Sequence, residues 1–300
     1  MSHVQVRSTD TEFSSLKVTP RTLLEKKRSH QPITALTAYD YPTARIVDEA
    51  GIDLILVGDS LAMTILGHES TLSLTVEEML HHARAVRRGV RRAFLVVDMP
   101  YGSYHVNTED AIRNALRFVK ESGAEAVKIE GGHRRASLIE ELTAAEIPVV
   151  GHIGLTPQSV LRMGGYRVQG RSTPEIEEIL ADAAALEGAG AVALVLEGIP
   201  RELAEQITAA AKIPTIGIGA GPGCDGQILV FHDAFELTFT SSAKFVRSFA
   251  DVGTVLREGI ERYKDAVIEG SFPSDGESYH LPRAMASSMH PPTTRVSLAS

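Results

Sequence analysis

FLVVDMPYGSYHVNTEDAIRNALRFVKESGAEAVKIEGG, residues 94–132, decides the fold. It opens on an aliphatic run, FLVVDMP (94–100), that is largely β-branched and does not alternate cleanly with polar residues. Strands buried on both faces read this way, as in a parallel sheet. TEDAIRNALRFVKESG follows with helical spacing, Thr and acids at its start and Gly at its end, where helices begin and stop. A second run, AVKIEGG (126–132), closes the unit. A strand, a helix and a second buried strand form the repeating unit of a parallel α/β sheet.

The same beat extends in both directions. Further runs are ITALTAYD (33–40), DLILVGDS (53–60), PVVGHIG (148–154), AVALVLEG (191–198), PTIGIGAG (214–221) and QILVFHD (227–233). Helical stretches lie between most of them, such as TVEEMLHHARAVRRG and TPEIEEILADAAALEGAG. The seventh and eighth runs are nearly contiguous, and KFVRSFADVGTVLREGIERYKDAV closes the series as an amphipathic helix. Eight strands, each mostly followed by a helix over about 250 residues, predict a (βα)8 TIM barrel. The competing fold, a doubly wound open sheet, usually has fewer strands and a GxGxxG after its first, which is missing here. Gly217, Gly219 and Gly221 follow the seventh run instead; they could cradle phosphate, and a tight turn explains them equally well. The expected organisation is a loose polar arm (1–19), the catalytic barrel (20–274) and a Ser/Pro/Thr-rich tail (275–300).

Bulk composition narrows the class. The 300 residues are 43% hydrophobic but only 5% aromatic, with no Trp, which suits layers filled by aliphatic side chains. Net charge is −8, so no general affinity for nucleic acid or an anionic membrane is expected. The RRGVRR cluster at 87–92 is read as capping a helix end and staying solvated. The single cysteine, Cys224, allows no internal disulfide and fits a reducing cytoplasm; its Gly-rich turn offers no base to activate it. No run approaches 18 uninterrupted apolar residues, and the N-terminus has no apolar leader segment.

The polar residues that end the runs are the functional candidates. Asp59 and Ser60 end the second, Asp98 the third, Lys128 and Glu130 the fourth, His152 the fifth and Glu197 the sixth. In a barrel these ends share one rim, where barrel enzymes keep their chemistry. Three acids from separate strands, Asp59, Asp98 and Glu130, would repel one another at the mouth of a dry core. Raised pKa values or a bound cation resolve this, and a Mg2+-type ion takes oxygen ligands while leaving places for substrate oxygens. No HxxxH or CxxC spacing suggests zinc. Asp40, before YPTARIV, fits a helix cap better than catalysis. Lys128 and Glu130 share a strand face, as a salt bridge or with Lys128 holding a substrate carboxylate. Glu197, after an aliphatic run, would have its pKa raised by apolar surroundings and could shuttle a proton, or simply pair with an Arg. His152 is equally readable as a core or a site residue, and His81 and His82 as surface.

TAYDYPTA, LVGDSLAM, GHEST, VVDMPYGSY, AVKIEGG, GHIGLTPQSV, GGYRVQGR, LVLEGIP, IGIGAG and DGQILVFHD together resemble the ketopantoate hydroxymethyltransferase (3-methyl-2-oxobutanoate hydroxymethyltransferase) family, over about residues 17 to 273. The resemblance implies a (βα)8 barrel and a Mg2+-dependent transfer in pantothenate and coenzyme A synthesis. A hydroxymethyl group passes from 5,10-methylenetetrahydrofolate to 3-methyl-2-oxobutanoate, giving 2-dehydropantoate, in a homo-oligomer of the decameric type. It implies Asp59, Asp98 and Glu130 as metal residues, with Asp59 and Asp98 also at the substrate. Ser60, Lys128 and His152 are implied as further substrate residues, and Glu197 as proton acceptor. Two departures stand out: Glu69 where Asp is common, and FHDAFELTFTSSAKFV where a Pro-Lys pair is frequent.

The chemistry suits the residues. A 2-oxo acid presents two oxygens to one metal, which would stabilise the enolate formed when C3 loses its proton. Two other readings remain. One is a Mg2+-dependent oxo-acid lyase or mutase of the phosphoenolpyruvate mutase/isocitrate lyase type, whose nucleophilic Cys or basic cluster does not stand out here. The other is a metabolite-binding scaffold, which needs no convergence of acids.

Overall fold

The computed structural model describes residues 16–239, 243–282 and 285. The eight aliphatic runs form β1 (Ile33–Thr37), β2 (Leu54–Val57), β3 (Phe94–Asp98), β4 (Ala126–Glu130), β5 (Val149–Gly154), β6 (Ala193–Glu197), β7 (Thr215–Ile218) and β8 (Gly226–Leu229). They pair in parallel, in chain order, and β8 returns to β1 to close a barrel. The expected TIM barrel is therefore the observed fold.

α1 (Pro20–Arg28) precedes β1, and α2 (Tyr41–Glu49) follows it. α3 (Leu61–Thr64) and α4 (Val76–Gly89) follow β2. α5 (Thr108–Arg117) follows β3, and α6 (Ala136–Ala144) follows β4. α7 (Val160–Met163) and α8 (Thr173–Gly188) follow β5, and α9 (Arg201–Ala210) follows β6. No helix separates β7 from β8, and α10 (Phe231–Ala234) comes after β8. Side chains start these helices as the sequence suggested: Asp40 accepts from the Thr43 N–H at 2.8 Å, and Thr75 forms a capping box with Glu78.

Alternation along the strands positions the site. One parity, including Ile55, Val57, Leu95, Val97, Val127 and Ile129, packs outward under the helices. The other, including Ile33, Leu54, Leu56, Phe94, Val96, Ala126, Val150, Ala193 and Val195, fills the barrel. Continued two residues further toward the C-terminal rim, those inward rows reach Asp98, Lys128 and then Glu130, His152 and Glu197. Register sets Asp98 beside Lys128 and Glu130 beside His152.

Sequence reading assigned no element to residues 20–28 and gave 16–19 to the arm. In the structure Val18 and Leu23 pack into the barrel's apolar filling. Lys26 pairs with Asp53, Lys27 with Asp225 at 2.7 Å and Lys17 with Glu125 at 2.6 Å. The N-terminal mouth is thus stoppered by α1, while residues 1–15 lie outside the described residues. RRGVRR is not simply solvated: Arg92 donates to the Gly51 and Ile52 carbonyls and pairs with Asp53 at 3.0 Å.

A second unit begins at Asp251. The closing helix, expected from Lys244, starts only at α11 (Val252–Ile268), where Asp251 accepts from the Thr254 N–H at 2.9 Å. Most of the expected tail, residues 283–284 and 286–300, lies outside the described residues. Among the described residues no helix is long and apolar enough to cross a membrane.

Candidate active site

Gly58 ends β2 against β3: a Cβ there would lie 3.0 Å from Ser60 Oγ and 3.6 Å from Asp98 Oδ2. This close approach lets the Asp59 N–H donate to Asp98 Oδ2 at 2.9 Å. Asp98 Oδ1 faces Lys128 Nζ at 3.0 Å, and Lys128 also lies 3.7 Å from Glu130 Oε1 and 3.0 Å from His152 Nδ1. His152 continues the chain of contacts, its Nδ1 lying 3.4 Å from Glu130 Oε1 and its Nε2 3.1 Å from Glu197 Oε2. Ser60 shares a 2.7 Å hydrogen bond with the Tyr39 hydroxyl. Six of the seven candidates, from five strand ends, therefore form one contiguous network, and Ser60 lies beside it, next to Asp59 and bonded to Tyr39.

Asp59, Asp98, Lys128, Glu130 and His152 are only 2–5% exposed, whereas the Glu197 side chain retains 15%, enough to meet a substrate. Burial, followed by Asp98 and Glu130, pushes the Asp59 carboxyl well above its usual range. Burial also raises Asp98, against the pull of Lys128. Glu130 goes the other way: burial opposes its charge, but His152, Lys128 and the Gln158 N–H hold it below the usual value. Burial and Lys128 oppose a charged His152, yet Glu130 and Glu197 raise its pKa to about 9. Counted as ionised, the four carboxylates would exceed Lys128 and a protonated His152 by two negative charges, a repulsion that the raised Asp59 and Asp98 carboxyls reflect.

The oxygens are unevenly used. Asp98 Oδ1 and Glu130 Oε1 are buried without a well-formed hydrogen bond and face side-chain cations instead, Lys128 at 3.0 Å from Asp98 Oδ1 and His152 at 3.4 Å from Glu130 Oε1. Asp98 Oδ2 and Glu130 Oε2 are each taken by a backbone N–H. Carboxylate oxygens not held by any N–H of the backbone, no thiolate and an acid-rich rim suit a hard divalent cation. A separate grouping, His133, Glu178 and Asp182, brings ligand atoms within 4.8 Å of one another near α8, with His133 Nδ1 already 2.6 Å from Asp182 Oδ1.

Three residues of this network were not singled out in the sequence. Gln158, from the turn after β5, donates through Nε2 to Asp59 Oδ2 at 2.9 Å and to the Met99 carbonyl at 3.0 Å. Tyr104 donates to Gln158 Oε1 at 2.6 Å, and Tyr39 holds Ser60. All three lie inside quoted motifs, but as neutral side chains they carry no charge pattern to mark them. His82, read as surface, instead bonds the Tyr39 carbonyl through Nδ1 at 2.7 Å. Cys224 is a free, half-buried thiol whose pKa burial raises, which fits a structural residue. Gly219 and Gly221 have positive φ, and a Cβ on either would strike Phe245 or Arg201, so turn packing accounts for them.

The profile of the family described as ketopantoate hydroxymethyltransferase matches residues 17–275. The chain belongs to that family. It is 66% identical over 267 residues to 3-methyl-2-oxobutanoate hydroxymethyltransferase of Koribacter versatilis (strain Ellin345), covering 89% of this chain and 90% of that protein. The Thermoanaerobacter sp. (strain X514) protein of the same name is 53% identical, with 88% and 97% covered. That of Clostridium novyi (strain NT) is 48% identical, with 92% and 100% covered. Among solved structures, phosphonopyruvate hydrolase in complex with oxalate and Mg++ superposes with TM-score 0.59 at 17% identity, covering 86% of this chain and 92% of that one. A 2,3-dimethylmalate lyase of the PEP mutase/isocitrate lyase superfamily gives 0.55 at 20% identity, with 87% and 91% covered. At those identities the likeness is one of fold.

Proposed function

We propose that this chain transfers a hydroxymethyl group from 5,10-methylenetetrahydrofolate to 3-methyl-2-oxobutanoate, giving 2-dehydropantoate for pantothenate synthesis. Relatives at 48–66% identity that bear the enzyme's name support the reaction. The observation that carries its chemistry is the buried rim of four acids and two bases with carboxylate oxygens left without a well-formed hydrogen bond. The mutase and lyase alternative shares the barrel, but only at 17–20% identity.

Asp59, Asp98 and Glu130 would hold Mg2+. Bound there, the ion supplies Lewis acidity that offsets negative charge on the 2-oxo oxygen, worth several kcal/mol. Lys128 and Ser60 face the substrate's carboxylate and oxo oxygens and orient it. Glu197, opposite an imidazolium at 3.1 Å, is an accessible carboxylate suited to take the C3 proton. Water opens the folate's methylene bridge, breaking both carbon–nitrogen bonds, leaving its two hydrogens on the nitrogens and its oxygen on the freed one-carbon unit as formaldehyde; C3 bonds to that carbon, and the carbonyl oxygen becomes the hydroxyl by taking back the proton held on Glu197. Tetrahydrofolate leaves. His152 keeps Glu197 in place.

Assembly into a homo-oligomer of the decameric type rests on the family resemblance and is read by light scattering. A reducing, cytoplasmic setting is consistent with the lone thiol. The deciding experiment incubates the protein with 3-methyl-2-oxobutanoate in D2O. Mg2+-dependent exchange of the C3 proton without folate is expected, and ketopantoate should form once methylenetetrahydrofolate is added. No exchange with any divalent ion would overturn the proposal.

A further inference from the structure

Gln158 is buried in the network although it carries no charge and bonds neither Asp98 Oδ1 nor Glu130 Oε1. Its hydrogen bonds go to two different acids. The side-chain Nε2 donates to Asp59 Oδ2 at 2.9 Å, and the backbone N–H donates to Glu130 Oε2 at 2.9 Å. The second Nε2 hydrogen is used by the Met99 carbonyl at 3.0 Å, and Oε1 accepts from Tyr104 at 2.6 Å. An amide with both hydrogens and its oxygen engaged has one permitted orientation. Turned over, it would set Oε1 against the Asp59 carboxylate and the Met99 carbonyl, and its NH2 toward Tyr104. The Met99 carbonyl and the Asp59 carboxylate, both acceptors, therefore fix the amide's sense, and the Tyr104 hydroxyl anchors its oxygen. Its ring is itself held by the Arg135 guanidinium, 5.0 Å from its centroid.

Each oxygen Gln158 takes up leaves the carboxylate's other oxygen to turn elsewhere. For Glu130 that oxygen is Oε1, which faces His152 and Lys128 without a well-formed hydrogen bond. We propose that Gln158 is a positioning residue for the cation centre, its amide and its own N–H holding Asp59 and Glu130 so that one oxygen of each faces the ion, with Tyr104 locking the amide. This rests on the reading of Asp59 and Glu130 as metal residues. Groups that orient metal ligands typically cost 10–100-fold in metal affinity when lost.

The test uses Mn2+ as probe, with binding followed by the EPR signal of the free ion. Thermal melts in EDTA accompany each protein. For Gln158→Leu, the Mn2+ dissociation constant should rise about 10–100-fold. Gln158→Glu, which opposes an oxygen to Asp59 Oδ2, should be at least as impaired, and Gln158→Asn should recover part of the loss. Tyr104→Phe should weaken Mn2+ binding on its own but add little in the Gln158→Leu background, since its effect passes through the amide. Tyr104 also accepts from the Glu130 N–H at 3.3 Å, and that contact survives in Gln158→Leu. A full additional loss from Tyr104→Phe in that background would show an independent role and overturn the locking step. Unchanged Mn2+ affinity in Gln158→Leu, with or without a lower melting temperature, would make Gln158 merely structural. Failure of the wild-type protein to bind Mn2+ at all would instead sink the metal reading beneath it.

Discussion

Replacing Asp59 by Asn is expected to stabilise the metal-free protein while abolishing its response to Mg2+. Asp59 is buried, and after burial itself the neighbours Asp98 and Glu130 contribute most to raising its pKa, against Lys128 and Gln158. A carboxyl raised in the folded state gives its full contribution below the unfolded value, about 3.9. It loses that contribution as pH rises from the unfolded value through the folded one, so toward higher pH the buried carboxyl becomes a penalty. Asn fits the same place. Its oxygen can accept from Gln158 Nε2 as Oδ2 does, and its N–H groups would face the remaining acids in place of a third charge. Relief of a poorly compensated buried charge amounts to about 1–3 kcal/mol. Wild-type protein should instead gain about 2.7 kcal/mol from Mg2+ at 100 times its dissociation constant. Urea unfolding followed by circular dichroism, in EDTA and in Mg2+, should therefore show the two proteins exchanging rank. A variant that is weaker in EDTA yet equally stabilised by Mg2+ would refute the reasoning.

Glu197→Gln should slow exchange of the C3 proton by ~10²–10⁴ while calorimetry still detects oxo-acid binding; unchanged exchange removes Glu197 as the base. Asp53→Ala leaves Lys26 and Arg92 without their buried partner and should cost about 2–4 kcal/mol. Burial opposes the Asp53 charge, but Lys26, Thr34 and Arg92 hold the carboxyl below its ordinary range. Its contribution is thus complete above about 3.9 and disappears as pH falls through the lower folded value. Stability curves of wild type and variant should converge in acid, and parallel curves would contradict the pairing. Gly58→Ala places a methyl group 3.0 Å from Ser60 Oγ and should raise KM for the oxo acid with under about 1 kcal/mol of stability lost; an unaltered KM would refute a tight approach there.

The barrel was legible because strands covered on both faces become plain aliphatic runs, and all eight runs are strands. The rim was legible for the same reason. Phe94, Val96 and Asp98 fall on one parity, so a reader who accepts the strand must place the acid inward. Lys128 and Glu130 follow from Ala126 in the same way. Gln158, Tyr104 and Tyr39 escaped because a neutral donor acquires meaning only through the partners that a fold brings to it. The α1 helix escaped because Leu23 alone of its nine residues is buried, leaving PRTLLEKKR to read as polar chain. The boundary of the last helix was misplaced because the helical spacing of Phe245, Phe249 and Val252 continues past Asp251, which caps and so begins it. Hydroxymethyl transfer itself came from the motifs, since spacing reaches only a divalent-ion site for an oxo acid.

The opposite end of the barrel supplies an internal control for the rim. Asp48 and Asp53 are also buried aspartates, yet both oxygens of each are engaged by fixed donors. Asp48 accepts from the N–H groups of Arg91, Arg92 and Ala93 at 2.7–3.1 Å. Asp53 accepts from Thr34 through one oxygen and from Arg92 through the other. These acids are complete without any ligand, and their fixed donors offset the cost of burying them. At the rim, Asp98 and Glu130 each have one oxygen held by a backbone N–H, while the other faces only the shared cations Lys128 and His152 without a well-formed hydrogen bond. Half-satisfied burial weakens a fold; among the described residues the buried carboxylate oxygens without a hydrogen bond lie at the end where barrels do chemistry, which argues for a ligand that completes them. The oxygen left without a hydrogen bond, more than acidity itself, sets the rim carboxylates apart from the structural ones in this barrel.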